Sequence, residues 1–313
     1  MNYAAALRQN FTIAVAQQWD LNELRASHGL GSSLQSLRES LMTVNGQLAP
    51  LNWHKDQEVI IVVIGFYVND FWRGELGLSR DVDTTPLLEH VRNGDSQAFE
   101  MILPPAEGQT RTWQKVHNFY ATAHALLHDN LEVPMSEALS AQVQEIRRQL
   151  RDRPFDASLA RDVHRIVMHD CMDYAGEYRT IQVQPLNSNV AYATPSKISQ
   201  RLDALFAITQ ELMPATVTTT ELFDQAIKVA GVFFREFLLI HPFRNGNGRV
   251  ARLLLSYLLR ATTAVPVSLF INNRAEYIEV LENCPAEKVP WACIGYILRC
   301  CLHQASQMHY LAM

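Results

Sequence analysis

Residues 241–252 read His241-Pro242-Phe243-Arg244-Asn245-Gly246-Asn247-Gly248-Arg249-Val250-Ala251-Arg252, and the architecture turns on what flanks them. Upstream, Leu222 to Ile240 is apolar on nearly every helical face, and downstream Leu253 to Leu259 is equally so. A helix with large side chains all round needs burial all round, so both helices are expected to be central. Pro242 cannot continue the first helix, and Asn-Gly steps favour turns, so the two helices meet at a short glycine-rich connection. Thr218-Thr219-Thr220-Glu221 supplies a capping box where the first helix begins.

Working outward, Leu159, Val163, Ile166 and Val167 form one apolar stripe at helical spacing, with Asp156 or Ser158 to cap its start. Between Arg179 and Thr194 the period changes. Thr180-Ile181-Gln182-Val183-Gln184 alternates, Leu186-Asn187-Ser188-Asn189 has turn chemistry, and Val190-Ala191-Tyr192 returns. The expected fold is all-α with one β-hairpin beside the central helices. Leu103 to Thr110, rich in Pro and Gly, has the composition of an exposed connection. It divides an N-terminal helical region, residues 1–105, from a second unit over residues 110–305.

Composition excludes several classes. A net charge of -5 and the lack of any stretch interleaving Lys and Arg with aromatics argue against a nucleic-acid partner. The longest strongly apolar run, Val59 to Val68, is about half of what a bilayer needs. No basic segment followed by an apolar one opens the chain, so a soluble cytoplasmic protein is expected, with a homo-oligomer left open. The five cysteines include no CxxC pair and suit a reducing compartment; Cys300 and Cys301 read as buried small hydrophobes. His124 and His128 have helical metal-pair spacing without an HExxH acid. Like His164 and His169, they read as surface or half-buried helix faces. Trp53, Trp72, Trp113, Phe119 and Tyr120 read as packing.

The chemistry lies in the turn. Backbone N–H groups exposed there, at the start of a helix, favour an anion. Arg249 and Arg252, at i and i+3, can address one polyphosphate together through their planar forks. His241, at the end of the preceding helix, is placed to take a proton from an incoming hydroxyl. An Asn-Gly turn alone needs only a helix-to-helix connection to explain it. The histidine and both arginines around it point to phosphoryl or nucleotidyl transfer.

The run HPFRNGNGRVAR resembles the Fic motif, HPFx(D/E)GNGRxxR. Ala175-Gly176-Glu177-Tyr178-Arg179-Thr180 is similar to the family's approach to its flap hairpin, and Arg274 to Leu281 to the helix after its core. The resemblance spans about residues 110 to 305. It implies a Fic-type helical core with a hairpin flap, and a protein adenylyltransferase that moves AMP from ATP to a Ser, Thr or Tyr hydroxyl of a target protein. It also implies His241 as general base, and Gly246, Asn247 and Gly248 as phosphate binders. Arg249 and Arg252 would neutralise charge, and Phe243 would anchor the loop. The family's acidic metal position, which holds Mg²⁺, falls on Asn245. Tyr277 falls where the adenine pocket would be, a core tyrosine being the alternative. Thr180, Ile181, Val183 and Val190 on the flap would pair with the target's backbone as an added strand.

Two departures stand out. Asn245 offers Mg²⁺ a neutral oxygen where the family offers a carboxylate, so weaker metal binding is expected. Near the N-terminus, Ser27-His28-Gly29-Leu30-Gly31-Ser32-Ser33 resembles the family's inhibitory helix, (S/T)xxxE(G/N), with Gly31 at the glutamate position. A degenerate inhibitory helix near 23–40 would leave Arg252 without an autoinhibitory partner. The competing classes are a nucleotide- or partner-binding pseudoenzyme and a Fic variant that transfers another phosphate-linked group.

Overall fold

A computed structural model describes residues 2–17, 43, 110–127, 136–184, 191–263, 267–269, 274–282, 284 and 289–312. Gly31 with the rest of 23–40, Val190 with the expected hairpin turn, His128, Trp53, Trp72 and the stretch 103–109 lie outside the described residues, as does the side chain of Trp113. The described chain is helical, as expected: α1 (Tyr3–Ala16), α2 (Thr110–Leu127), α3 (Glu137–Leu150), α4 (Ala157–Val167), α5 (Ile198–Leu212), α6 (Thr220–Ile240), α7 (Asn247–Leu259), α8 (Arg274–Glu282) and α9 (Trp291–Ala312). A 3-10 turn, Pro195–Lys197, leads into α5. Among the described residues no helix is long and apolar enough to cross a membrane.

The axis of the fold is α6, which packs against α7, α5, α1 and α9. Every residue from Ala226 to Arg235 and from Phe237 to Ile240 is buried, the all-round burial that its composition demands. Gly231 allows α9 to approach, because a Cβ there would lie 2.6 Å from Ile294 Cγ1. The cap of α6 is Thr219, whose Oγ1 accepts the Leu222 N–H at 3.3 Å, one residue after the start of the expected box. In α4, Asp156 caps the first turn by accepting the N–H groups of Ser158 and Leu159, at 2.8 and 3.1 Å. Its stripe of Leu159, Val163 and Val167 is buried where α4 meets α2, α5 and α7.

The first helix is part of the same packed body. Leu7, Phe11 and Ala14 of α1 join the hydrophobic core. Polar groups then fix its register on α6: the Tyr3 hydroxyl donates to Glu236 at 3.2 Å, and Lys228 donates to the Gln17 carbonyl at 3.0 Å.

The described arms of the expected hairpin, 180–184 and 191–194, form no strand. Their backbone groups are claimed elsewhere. Ala193 N–H donates to the Leu239 carbonyl at 3.2 Å, and Arg179 N–H donates to the Pro242 carbonyl at 2.9 Å. The Arg179 guanidinium takes the carbonyls of Ile181 and Ala193. The arms are therefore moored to the end of α6, and Gln182 Nε2 reaches the Tyr192 carbonyl across them at 3.4 Å.

Candidate functional site

His241 ends α6 with φ +49°, a left-handed conformation uncommon for a residue with a side chain. Two bonds hold it there: its N–H donates to the Phe237 carbonyl at 3.0 Å, and its carbonyl accepts from Arg179 Nε at 2.7 Å. The ring is equally constrained. Nδ1 lies 3.3 Å from the Leu238 carbonyl, which can only accept, so the proton sits on Nδ1 and Nε2 keeps its lone pair. Tyr192, from the returning arm, lies flat on the imidazole with centroids 3.9 Å apart and planes at 9°. Burial pushes the His241 pKa down to about 4, and the nearby Arg179 charge adds to the effect, so the imidazole is neutral at pH 7.

That stack can be tested on its own. Tyr192→Ala uncovers the ring and should raise the His241 pKa toward the ordinary ~6.5 of histidine, whereas Tyr192→Phe keeps the cover and the low value. An NMR titration of the His241 ring reads both, and equal pKa values in the Ala variant and the parent would show that Tyr192 does not shield it.

After Pro242 the chain turns sharply. Gly246 adopts φ +78°, and a Cβ there would meet Met168 Sδ at 3.0 Å and His164 Nε2 at 3.3 Å, so both conformation and space select glycine. The turn is clasped from within. Asn247 Oδ1 accepts the Phe243 N–H at 2.9 Å, and Asn247 Nδ2 donates to the Phe243 carbonyl at 2.8 Å. The Asn247 side chain is thus committed to loop shape, and what it offers a phosphate is its backbone. The amides of Asn247 and Gly248 precede the Val250 N–H to Gly246 carbonyl bond of α7, in the first turn that an anion can occupy.

Arg249 and Arg252 are both buried, at 2 and 4% exposure, rather than splayed into solvent. Arg249 Nη1 donates to the thioether of Met168 at 2.9 Å, a weak acceptor that a phosphate oxygen outcompetes. Arg252 lies over the Phe119 ring at 5.7 Å, and its Nη1 is 3.3 Å from where a Cβ on Gly248 would stand. Both forks therefore stay close to the turn. Asn245 is exposed, with Oδ1 accepting the Gly246 N–H at 2.7 Å.

Phe243 is fully buried, as an anchor should be. On the arms, Thr180 and Ile181 are exposed, Ile181 by 53%, while Val183 is half-buried. Tyr277 is buried in the core, edge-on to Phe234 at 6.4 Å.

Two histidines depart from expectation. His124 and His164, read as surface or half-buried, are 3% and 0% exposed. His124 packs against Arg147 at 3.5 Å, and His164 stacks on Phe243 with centroids 3.8 Å apart. His169 is exposed beside Asp170. Arg179, quoted in the sequence without a role, is the strut of the site: 2% exposed, it donates to the carbonyls of His241, Ile240, Ile181 and Ala193. A cation on the last carbonyls of α6 satisfies groups that the helix cannot pair itself. No regular spacing marks either residue, because their partners are backbone atoms far away in sequence.

Residues 154–259 match the model of the Fic/DOC family. Over 103 residues the chain is 34% identical to protein adenylyltransferase fic-1 of Caenorhabditis elegans, covering 33% of this chain and 18% of that one. Over 115 residues it is 33% identical to probable protein adenylyltransferase y4lH of Sinorhizobium fredii, covering 36% of this chain and 57% of that one. The match therefore spans less than two thirds of either relative. A Fic domain containing signaling protein from Bacteroides thetaiotaomicron shares the fold, with TM-score 0.62 at 15% identity over 88% of this chain and 97% of that one. The segment that matches the Fic/DOC family model runs from before α4 to the end of α7 and contains His241, the clasped turn and both buried arginines.

Proposed function

We propose that this chain transfers AMP from ATP to a Ser, Thr or Tyr hydroxyl of a protein, with His241 as general base. The observation that carries the reading is the His241 ring, neutral and bonded through Nδ1 so that Nε2 is left to receive a proton. In the reaction the hydroxyl oxygen attacks the α-phosphorus, its proton passes to Nε2, and the bond to the β-phosphate oxygen breaks to release pyrophosphate. The amides of Gly246, Asn247 and Gly248 and the forks of Arg249 and Arg252 take up the phosphate charge, a positioning and electrostatic task. The names of the relatives, protein adenylyltransferases, support the same reaction. Tyr277 would act from within the core, behind the adenine rather than against it, and Thr180, Ile181 and Val183 would guide the target chain.

Among the described residues, no group of three His, Cys, Asp or Glu is arranged to hold a metal ion. Asn245 brings one neutral oxygen. Such a donor set fits Mg²⁺ carried mainly by a triphosphate's own oxygens, the usual manner for this ion. Bound there, Mg²⁺ would neutralise phosphate charge, with Asn245 Oδ1 as its protein donor in place of the Gly246 N–H. Asn245→Asp should lower the Mg²⁺ concentration for half-maximal ATP binding roughly tenfold, since one added charge at ~4 Å contributes about 1–4 kcal/mol. The same Mg²⁺ dependence in both proteins would remove Asn245 as a ligand.

The neutral Asn245 also favours the second reading, a nucleotide-binding protein without turnover. Incubation with a cell lysate, Mg²⁺ and ATP labelled at either the α- or the γ-phosphate separates the two. Protein labelled only from the α position supports AMP transfer, label only from the γ position supports phosphoryl transfer, and ATP binding with neither label supports the binder.

A further inference from the structure

Behind the turn, His164 bridges two backbone segments that the sequence keeps apart. Its Nδ1 accepts the Gly176 N–H at 2.8 Å, and its Nε2 lies 3.0 Å from the Asn245 carbonyl. A backbone N–H can only donate and a carbonyl can only accept, so one tautomer satisfies both: Nδ1 bare, Nε2 protonated. The ring is completely buried and stacked on Phe243 at 6° between planes. Neither nitrogen has room for a second role.

We infer that His164 is the positioning residue of the phosphate-binding turn: by tying the Asn245 carbonyl to the Gly176 segment, it fixes the orientation of the peptide units that carry the amides of residues 246–248. The peptide plane between Asn245 and Gly246 is rigid, so holding its carbonyl sets the orientation of its N–H and the start of the left-handed Gly246 conformation. Gly246 in turn rests against the same ring, with His164 Nε2 3.3 Å from where a Cβ would be. The other bond of His164 reaches the base. Gly176 stands three residues before Arg179, whose guanidinium holds the His241 carbonyl at 2.7 Å. One imidazole therefore links the segment that supports the base to the segment that would bind phosphate. The effect on catalysis rests on the adenylyl-transfer reading; the effect on the turn does not.

The test uses the full chain without substrate, and three proteins. His164→Phe keeps the stack on Phe243 and removes both hydrogen bonds, while His164→Gln restores an acceptor and a donor. Hydrogen exchange at residues 244–248 should quicken about tenfold or more in the Phe variant, with the interiors of α6 and α7 unchanged and the Gln variant intermediate. Equal exchange in the Phe variant and the parent overturns the inference. Should the Phe variant not fold, ring ¹⁵N shifts of the parent decide: a slowly exchanging proton on Nε2 upholds the link, and a proton on Nδ1 overturns it. Where the parent transfers AMP, His164→Phe should raise the KM for ATP about 10- to 100-fold with a smaller fall in kcat, a split unlike that of His241→Ala. A parent that binds no ATP sinks the nucleotide reading and leaves the exchange data to decide His164.

Discussion

His241→Ala should lower AMP transfer by about 10²- to 10⁴-fold, the range of a positioned general base, while ATP binds nearly as before. The split follows from the division of labour in the turn. Phosphate would meet the first amides of α7 and two arginine forks, none of which includes the imidazole. The ring meets Leu238 on one nitrogen and Tyr192 on one face, leaving Nε2 for the hydroxyl. Alanine also meets a second difficulty at this position, because φ is +49° and an L-residue other than Asn, Asp or His is strained there. His241→Asn separates the two effects, as asparagine tolerates the conformation but is no base. Loss of transfer in both variants supports the base; transfer retained by His241→Asn would assign the alanine defect to the backbone.

Much of this site was legible because it is contiguous. Proline ends one buried helix, the Asn245-Gly246 step turns the chain, and a second apolar helix begins at Asn247, so the neighbours in space are also neighbours in sequence. The same logic failed where partners are remote. His164 answers to backbone groups 12 and 81 residues away, and Arg179 to carbonyls 61 and 62 residues away. Neither spacing has a period. On the flap, alternation in Thr180 to Gln184 favours an extended chain, and the turn that would join its arms lies outside the described residues. What moors the described arms, Arg179 and the last carbonyls of α6, is not written in the local sequence. Asn247 gives a subtler case. The resemblance made it a phosphate ligand, whereas its side chain holds Phe243 and leaves the amide as its means of contact.

The burial that hides His124, His164 and His241 should make the fold acid-labile in a defined window. Each is held neutral, with its pKa pushed from 6.5 to about 4 chiefly by burial, aided by the charges of Arg147, Arg249 and Arg179 respectively. In the unfolded chain these groups bind protons as pH falls through ~6.5, but in the folded protein only near 4. Between those limits the unfolded state holds more protons, so stability must rise with pH there and be lost as pH falls from 6.5 toward 4. Three groups contribute up to about 4 kcal/mol per pH unit in mid-window. Glu236 opposes them, because burial raises its pKa and its folded form holds a proton where the unfolded one does not. The three imidazoles together set an upper bound of about 10 kcal/mol on the loss from pH 6.5 to 4, which Glu236 reduces and which is comparable to the whole stability of an ordinary domain. Unfolding by urea should therefore need markedly less denaturant at pH 5 than at pH 7. Calorimetry in buffers of different ionisation enthalpy should register the proton uptake directly. A midpoint that does not move between pH 7 and pH 5 would mean that these imidazoles are protonated in the native protein. His241 could not then be the neutral base of the proposed reaction.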